Sequence, residues 1–546
     1  MNGFEIIARI LKTEGVEWLA CFPSNTLIEA AAKEGIRPIA FRHERGAIMA
    51  ADGYSRMHDG KKFGVVAMQH QAGAENSMGG VAQAFGDNIP MLLLPGGMRL
   101  DQIGVRPNFY AVENYQNVTK QAESVFRVDQ ITRIMRRAFH AMRNGGPGPV
   151  MVEMHTDVCG QEVPEEAMDY SPPKIMRQQP SISDIKDAVK TLLSAKKPVI
   201  WSGGGVLMAD ATTELQELAE LLEIPVYCSM PGKSSFDERH PLALGAGSGA
   251  TTLPARTWLQ ESDVLFAVGS SLTRTSYGQP IPENKLIIHN TANVDDINKE
   301  FSVDVGLPGD AKATLAAMID EVKGEIGENG RKGQTKVAQE IAQMKQKWMS
   351  EWNALLNSDE EPLNTYRVIG DINRTLDLEN SIVTHDAGAP RESIMPFFTA
   401  TVPHSYIGWG KTTHLGFGIP LMIGAKLAAP DKFCLNLMGD AAFGMSATDI
   451  ETSVRAQAPI TTVLLNNGGM ATYPGGFPTA RELYGVSHMI GDYAKIAEGM
   501  GAVGITVTKP HEMVPALERA KQLNADGNTV LIDVHSNMEA KKSRFE

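Results

Sequence analysis

Residues 432–441 read KFCLNLMGDA and residues 460–467 read ITTVLLNN, and the architecture of the chain follows from this pair. Each is a short apolar run, the second rich in β-branched residues. Each stops at polar residues, Gly439-Asp440 in one and Asn466-Asn467 in the other, with Asn466 25 positions beyond Ala441. Runs of this kind predict buried strands. Residues 446–458 give room for a helix to cross back over a sheet, so the strands are expected to be parallel. Ligands of an open parallel sheet gather beyond the carboxyl ends of its strands, which is where Asp440 and Asn467 fall. A carboxylate and an amide oxygen are hard ligands for a small octahedral cation such as Mg²⁺, which leaves positions open for phosphate oxygens. A helix start between them would face the same phosphates. Gly-Asp and Asn-Asn are equally compatible, by themselves, with two ordinary turns.

Two further stretches extend the pattern: FRHERGAIMAADGYSR at residues 41–56 and HLGFGIPLMIGAKLA at residues 414–428. With the GDA and NN segments, and in this order along the chain, they resemble the thiamine diphosphate (ThDP) enzymes of the acetolactate synthase, benzoylformate decarboxylase and pyruvate decarboxylase superfamily. The resemblance implies that Asp440, Asn467 and the backbone carbonyl of Gly469 coordinate Mg²⁺, and that Gly439 and Ala441 flank the diphosphate. That motif usually begins GDG, so Ala441 is a departure whose methyl is expected to restrict the turn without removing a ligand. The resemblance makes Glu44 the carboxyl group that activates the cofactor through its aminopyrimidine ring, with the cofactor as its own base. It makes Leu415, just before Gly-Phe-Gly, the apolar wedge that bends the cofactor. The residues alone leave Glu44 open to being a solvated charge among Arg42, His43 and Arg45, and Leu415 to plain core packing.

Candidates for substrate contact come from other stretches. Gln69, His70 and Gln71 follow the apolar run 63–68 and precede the turn AGAEN at 72–76, which puts three polar side chains at a strand end. Benzoylformate decarboxylase has an acting histidine in the equivalent loop. Here Gln69 takes its place, His70 comes one residue later, and the SGPG of acetolactate synthases is absent. A lone histidine is as often structural. Ser24 and Asn25 in CFPSNTL resemble the SNEL of benzoylformate decarboxylase, where the serine lies near the substrate carboxylate; both types equally suit an N-cap before a helix over residues 27–33. Lys120 matches a lysine near the mouth of the acetolactate synthase site, or is a surface lysine. HDAGAPRES, 385–393, stands where acetolactate synthases carry Gly-Gln-His. Arg391 there could grip a carboxylate bidentately, or be a solvated residue at a helix start.

A chain of 546 residues is too long for one core. Alternating strand and helix segments predict an α/β fold of three doubly wound parallel-sheet domains. The expected bounds are 1–160 (pyrimidine-binding), 181–325 (central) and 361–546 (diphosphate- and Mg²⁺-binding), with 325–351 a charged, solvated connecting helix. The formal charge of −13 argues against nucleic acid as a partner. No apolar run approaches the roughly 18 residues of a membrane span, and the N-terminus is amphipathic rather than signal-like, so a cytoplasmic protein is expected. Four scattered cysteines suggest neither zinc nor disulfides. WSGGGVLM lacks the full dinucleotide fingerprint. Some acetolactate synthases bind FAD in this domain, where Arg274 resembles a contacting arginine; FAD is the less favoured expectation.

The expected activity is attack on the carbonyl of a 2-oxo acid with loss of CO₂, followed by ligation to an aldehyde or a second 2-oxo acid in the manner of acetolactate synthase. The alternatives are a non-ligating decarboxylase of benzoylformate decarboxylase type and a catalytically silent ThDP-binding subunit. Family sites are shared between subunits, so a homodimer or a homotetramer is expected.

Overall fold

The computed structural model describes residues 1–164, 168–470 and 476–544. It contains three six-stranded sheets in which every named pair of strands is parallel. The first holds β1 (Trp18–Cys21), β2 (Arg37–Ala40), β3 (Gly64–Met68), β4 (Met91–Gly97), β5 (Gln121–Val125) and β6 (Pro149–His155), in the order β2-β1-β3-β4-β6-β5. The second holds β7 (Pro198–Ser202), β8 (Val226–Ser229), β9 (Ala243–Gly247), β10 (Val264–Val268), β11 (Leu286–Thr291) and β12 (Val305–Pro308), in the order β12-β11-β10-β7-β8-β9. The third holds β13 (Ser381–His385), β14 (Tyr406–Ile407), β15 (Phe433–Gly439), β16 (Thr461–Asn466), β17 (Val503–Val507) and β18 (Val530–His535). Its order, β14-β13-β15-β16-β18-β17, repeats that of the first sheet.

The order is what positions a site. In doubly wound sheets the crevice for a ligand opens where the strand order reverses. That point lies between β1 and β3 in the first sheet, between β7 and β10 in the second, and between β13 and β15 in the third. Strands β1, β3, β6, β10 and β13 are buried along their whole length, as expected of apolar runs covered by helices on both faces. Polar residues at their ends therefore stand out as candidates for function.

The chain divides into two compact units. One comprises residues 1–176 with 419–430 and 451–456 and contains the first sheet; the other comprises the remainder and contains the second and third. In the first unit the opening helix, Gly3–Thr13, starts with a capping box between Asn2 and Glu5 and buries Phe4, Ile6, Ile7, Ile10 and Leu11. The helix Glu44–Arg56 is buried along almost its entire length. Its last residue, Arg56, is charge-balanced inside the core by Asp52 and, at 2.8 Å, by Asp87.

In the second unit one hydrophobic core runs continuously between the two sheets. The charged stretch expected to be a solvated connection contributes to it. The helix Val337–Leu356 buries Ile341, Trp348, Trp352 and Leu356 along one stripe, and Trp348 stacks on Phe397 with ring centroids 4.8 Å apart. Charges on its other faces hide this apolar stripe from a reading by composition. Among the described residues no helix is long and apolar enough to cross a membrane.

Candidate active site

At the switch point of the third sheet, β15 ends at Gly439 and Asp440 opens a single helical turn, Asp440–Phe443. Asp440 is 2% exposed. Its Oδ1 accepts from the Ala441 N–H at 2.7 Å and its Oδ2 from the Gly468 N–H at 3.0 Å. One carboxylate thus joins the end of β15 to the loop after β16, and brings together the two segments that the sequence keeps far apart. Burial, with Asp533 adding to it, holds the Asp440 carboxyl above its usual range, the condition that a bound cation relieves. Ala441 sits inside the helical turn, where an alanine is unstrained. The expected restriction by its methyl is therefore absent.

The two asparagines divide the work. Asn466 donates through Nδ2 to Asp533 at 3.0 Å, fastening β16 to β18. Asn467 folds into the loop, its Oδ1 accepting from the Gly469 N–H at 3.0 Å. Gly469 forms an isolated antiparallel bridge with His488 that holds the loop in place. The Asp440 carboxylate, the Asn467 amide oxygen and the Gly469 carbonyl are all oxygen ligands in type, and no group of three or more His, Cys, Asp or Glu side chains placed to hold a metal ion occurs among the described residues.

Between β14 and the helix Gly418–Ala428 the chain makes the turn that carries Leu415, a partly exposed residue. Gly416 follows at φ +77, a conformation open to glycine. A Cβ on Gly418 would lie 2.2 Å from Asn436 Oδ1. The turn is held by a residue that the sequence reading passed over within HDAGAPRES. Asp386, fully buried, accepts from the N–H groups of Gly416 at 3.0 Å and Gly418 at 2.8 Å. The signal for it was an acidic residue directly after a strand at a switch point.

In the first sheet's unit, Glu44 is the first residue of the helix that follows β2 and is 4% exposed. That burial rules out the solvated-charge alternative. Asn76, on the helix Ala72–Gly86, donates through Nδ2 to Glu44 Oε2 at 3.0 Å. A Cβ on Gly73 would meet Gln69 Cβ at 2.9 Å and Glu44 Oε1 at 3.2 Å. Glu44, Gln69 and Asn76 therefore form one cluster, with Gly73 closing over it.

Three family models match the chain. They are the N-terminal TPP binding domain of thiamine pyrophosphate enzymes at residues 1–124, the central domain at 185–318, and the C-terminal TPP binding domain at 386–534. The chain belongs to the thiamine pyrophosphate enzyme family. A probable acetolactate synthase large subunit of Methanococcus aeolicus is 31% identical over 96% of this chain and 90% of its own length. Acetolactate synthase isozyme 3 large subunit of Escherichia coli (strain K12) is 27% identical over 98% and 94%. Glyoxylate carboligase of Escherichia coli O157:H7 is 27% identical over 96% and 91%. The two TPP binding domain matches take in the residues described above: Glu44 and Gln69 in the N-terminal one, Asp386, Leu415, Asp440 and Asn467 in the C-terminal one.

For a thiamine pyrophosphate enzyme the residues around the clusters are scaffold as much as site. Asn25 donates through Nδ2 to the carbonyls of Met68 and Leu94, at 2.8 and 3.0 Å, and accepts from the Leu27 N–H. It ties β1 to β3 and β4, and its side chain is fully engaged in doing so. The helix Leu27–Lys33 forms where expected, with Thr26 rather than Ser24 or Asn25 at the N-cap, and Ser24 is exposed. Gln71 adopts φ +50 and reaches Met98 Sδ at 3.3 Å, and His70 is exposed. Lys120 Nζ donates to the carbonyls of Ala141 and, at 2.7 Å, Asn144, at the end of the helix Ile131–Arg143.

Arg391 is 3% exposed, so it is not the solvated residue of the alternative reading. Its Nε and Nη2 are both taken by Glu392 Oε1, at 2.9 and 2.8 Å, and Tyr277 lies over the guanidinium at 4.8 Å. The Nε/Nη2 edge of the guanidinium is thus occupied by Glu392, while Nη1 is buried without a hydrogen-bond partner among the described residues. In the second sheet a Cβ on Gly203 would lie 2.3 Å from the Gly269 carbonyl. The glycine run thus serves the close approach of the β7 and β10 loops. Arg274 packs on Phe301 with Glu300 3.9 Å away.

Proposed function

We propose that this protein is a ThDP- and Mg²⁺-dependent enzyme that cleaves or forms the C–C bond beside the carbonyl of a 2-oxo acid, and that it is a decarboxylating carboligase of the acetolactate synthase kind. The observation that carries the reading is Glu44, a carboxyl group buried beside the loop after β3 and held by Asn76, in a chain whose Asp440 carboxylate joins two loops at the switch point of the third sheet. A silent subunit has no need of that carboxyl group.

ThDP, when bound, would supply a nucleophilic thiazolium carbon and an electron sink for the pair left by the departing CO₂. Asp440, Asn467 and the Gly469 carbonyl suit Mg²⁺, since all are hard oxygen donors, and the ion would bind the diphosphate. Glu44 Oε2 is engaged by Asn76, which leaves Oε1 to share a proton with a ring nitrogen of the aminopyrimidine. Leu415, in the turn before the helix Gly418–Ala428, would pack against the cofactor. Gln69 stands beside Glu44 where substrate would arrive. Domains bounded 1–160, 181–325 and 361–546 would place the Glu44 cluster in the first and the Asp440 cluster in the third, one site drawing on two subunits of a homodimer or homotetramer. All four cysteines are buried and free, which suits a reducing cytoplasm.

A second reading, a non-ligating 2-oxo acid decarboxylase, is favoured by one observation. His70 is exposed in the loop after β3, one residue beyond the position of the acting histidine of benzoylformate decarboxylase, where it could protonate a product instead of leaving it for an acceptor. Incubation with a panel of 2-oxo acids, with and without aldehydes, followed by NMR of the products, separates the two. Ligated hydroxyketones support the carboligase, aldehydes alone support the decarboxylase, and no turnover of any 2-oxo acid would refute both.

A further inference from the structure

We propose that Asp386 is a positioning residue that fixes the height of Leu415 at the end of the third sheet and thereby the bent shape of bound ThDP. The inference rests on the ThDP reading above and concerns a residue that touches the turn, not the cofactor. Asp386 is fully buried and stands directly after β13. Oδ1 accepts from Ala387 at 2.8 Å and from Gly416 at 3.0 Å, and Oδ2 accepts from Gly418 at 2.8 Å. The two glycine donors flank Phe417 and follow Leu415, so both oxygens of one carboxylate clamp the turn that presents the wedge.

The neighbouring residue holds the same turn from beneath. His385 stacks on Trp409, centroids 5.2 Å apart, and Trp409 stacks on Phe417 at 4.7 Å. His385 Nε2 lies 3.1 Å from the Trp409 carbonyl, and Trp409 Nε1 donates to the His385 carbonyl at 3.0 Å. Two consecutive residues thus set the position of residues 415–418 by a hydrogen-bond clamp and an aromatic stack. Gly416, at φ +77, gives the turn a freedom that these contacts restrict. Hydrogen bonds to a charged acceptor are about twice as strong as neutral ones, and a reacting group displaced by about 1 Å can lose about 10² in rate. A wedge residue is sensitive to such a displacement because its only function is steric.

The test compares Asp386→Asn, Asp386→Glu and Leu415→Ala with the parent. In apo protein, hydrogen–deuterium exchange by mass spectrometry over residues 411–420 reads the clamp without the cofactor. In holoprotein, exchange at C2 of bound ThDP after acid quench reads the wedge, and calorimetry with Mg²⁺ reads ThDP affinity. Asp386→Asn should raise amide exchange in 411–420, keep ThDP affinity within about threefold and slow C2 exchange about 10- to 10²-fold. Combining it with Leu415→Ala should add almost nothing to the effect of Leu415→Ala alone. C2 exchange within about twofold of the parent in Asp386→Asn, with Leu415→Ala slowed, would overturn the positioning role. Should Asp386→Asn fail to fold, Asp386→Glu keeps the charge, shifts both oxygens by one methylene and is judged by the same two outcomes. Unchanged C2 exchange in Leu415→Ala would overturn the wedge and the inference together. A parent that binds no ThDP would refute the cofactor reading itself, a separate result visible in the calorimetry alone.

Discussion

Removing the amide of Asn76 tests the side chain that, among the described residues, donates to Glu44. Its Nδ2 donates to Glu44 Oε2 at 3.0 Å. A hydrogen bond to a charged acceptor contributes about 1.5 to 3 kcal/mol. Asn76 is exposed at its far side while Glu44 is buried, so solvent can replace part of the bond and the lower figure applies. About 1.5 kcal/mol corresponds to about tenfold in rate if the bond is made only in the active arrangement of the carboxyl group. Asn76→Ala should therefore lower kcat about tenfold, slow C2 exchange of bound ThDP by a similar factor and leave ThDP affinity nearly unchanged. Asn76→Asp should do worse, because a second carboxylate replaces a donor with a like charge. Turnover and quenched-exchange NMR on both variants, at saturating ThDP and Mg²⁺, give the answer. Parent-like exchange in Asn76→Asp would show that Glu44 needs no positioning from this helix.

Other outcomes follow from the same geometry. Asp440→Ala removes the carboxylate that joins two loops and would hold the metal; it should lose ThDP affinity by calorimetry, and EDTA should abolish activity that Mg²⁺ with ThDP restores. Gly418→Ala would place a methyl 2.2 Å from Asn436 Oδ1 and should destabilise the fold by about 1 to 3 kcal/mol in denaturant melts. The double variant with Asn436→Ala should recover much of that loss. Light scattering should find a dimer or larger, and a fully active monomer would contradict a shared site.

The strand ends were legible because apolar runs and their polar stops are local. KFCLNLM and ITTVLL gave β15 and β16 to within a residue, and the alternation of segments gave three parallel sheets. The clusters at their ends were legible as residue types, Glu44 and Gln69 in one and Asp440 and Asn467 in another. What the sequence hid is long-range partnership. Asp386 meets Gly416 and Gly418 across about thirty residues, and no periodicity announces such a contact. Asn76 was visible within AGAEN as a turn residue, yet its partner is 32 positions away. The same distance explains Asn25 and Arg391, whose side chains looked free for substrate until their partners at Met68, Leu94 and Tyr277 were in view. The helix Val337–Leu356 was read by its charges because its buried tryptophans are sparse among them.

The central claim is that Glu44 is the carboxyl group that activates the cofactor, and Glu44→Gln tests it most directly. Glutamine keeps the size of the side chain but cannot share the acidic proton. Hydrogen–deuterium exchange at C2 of bound ThDP, quenched in acid and read by NMR, reports the activated step without any choice of substrate. Binding of ThDP and Mg²⁺ should persist while exchange slows by about 10² to 10⁴, the usual worth of general acid–base catalysis. Exchange at the parent rate together with near-normal turnover would leave Glu44 as a buried structural carboxylate bonded to Asn76 and contradict the account.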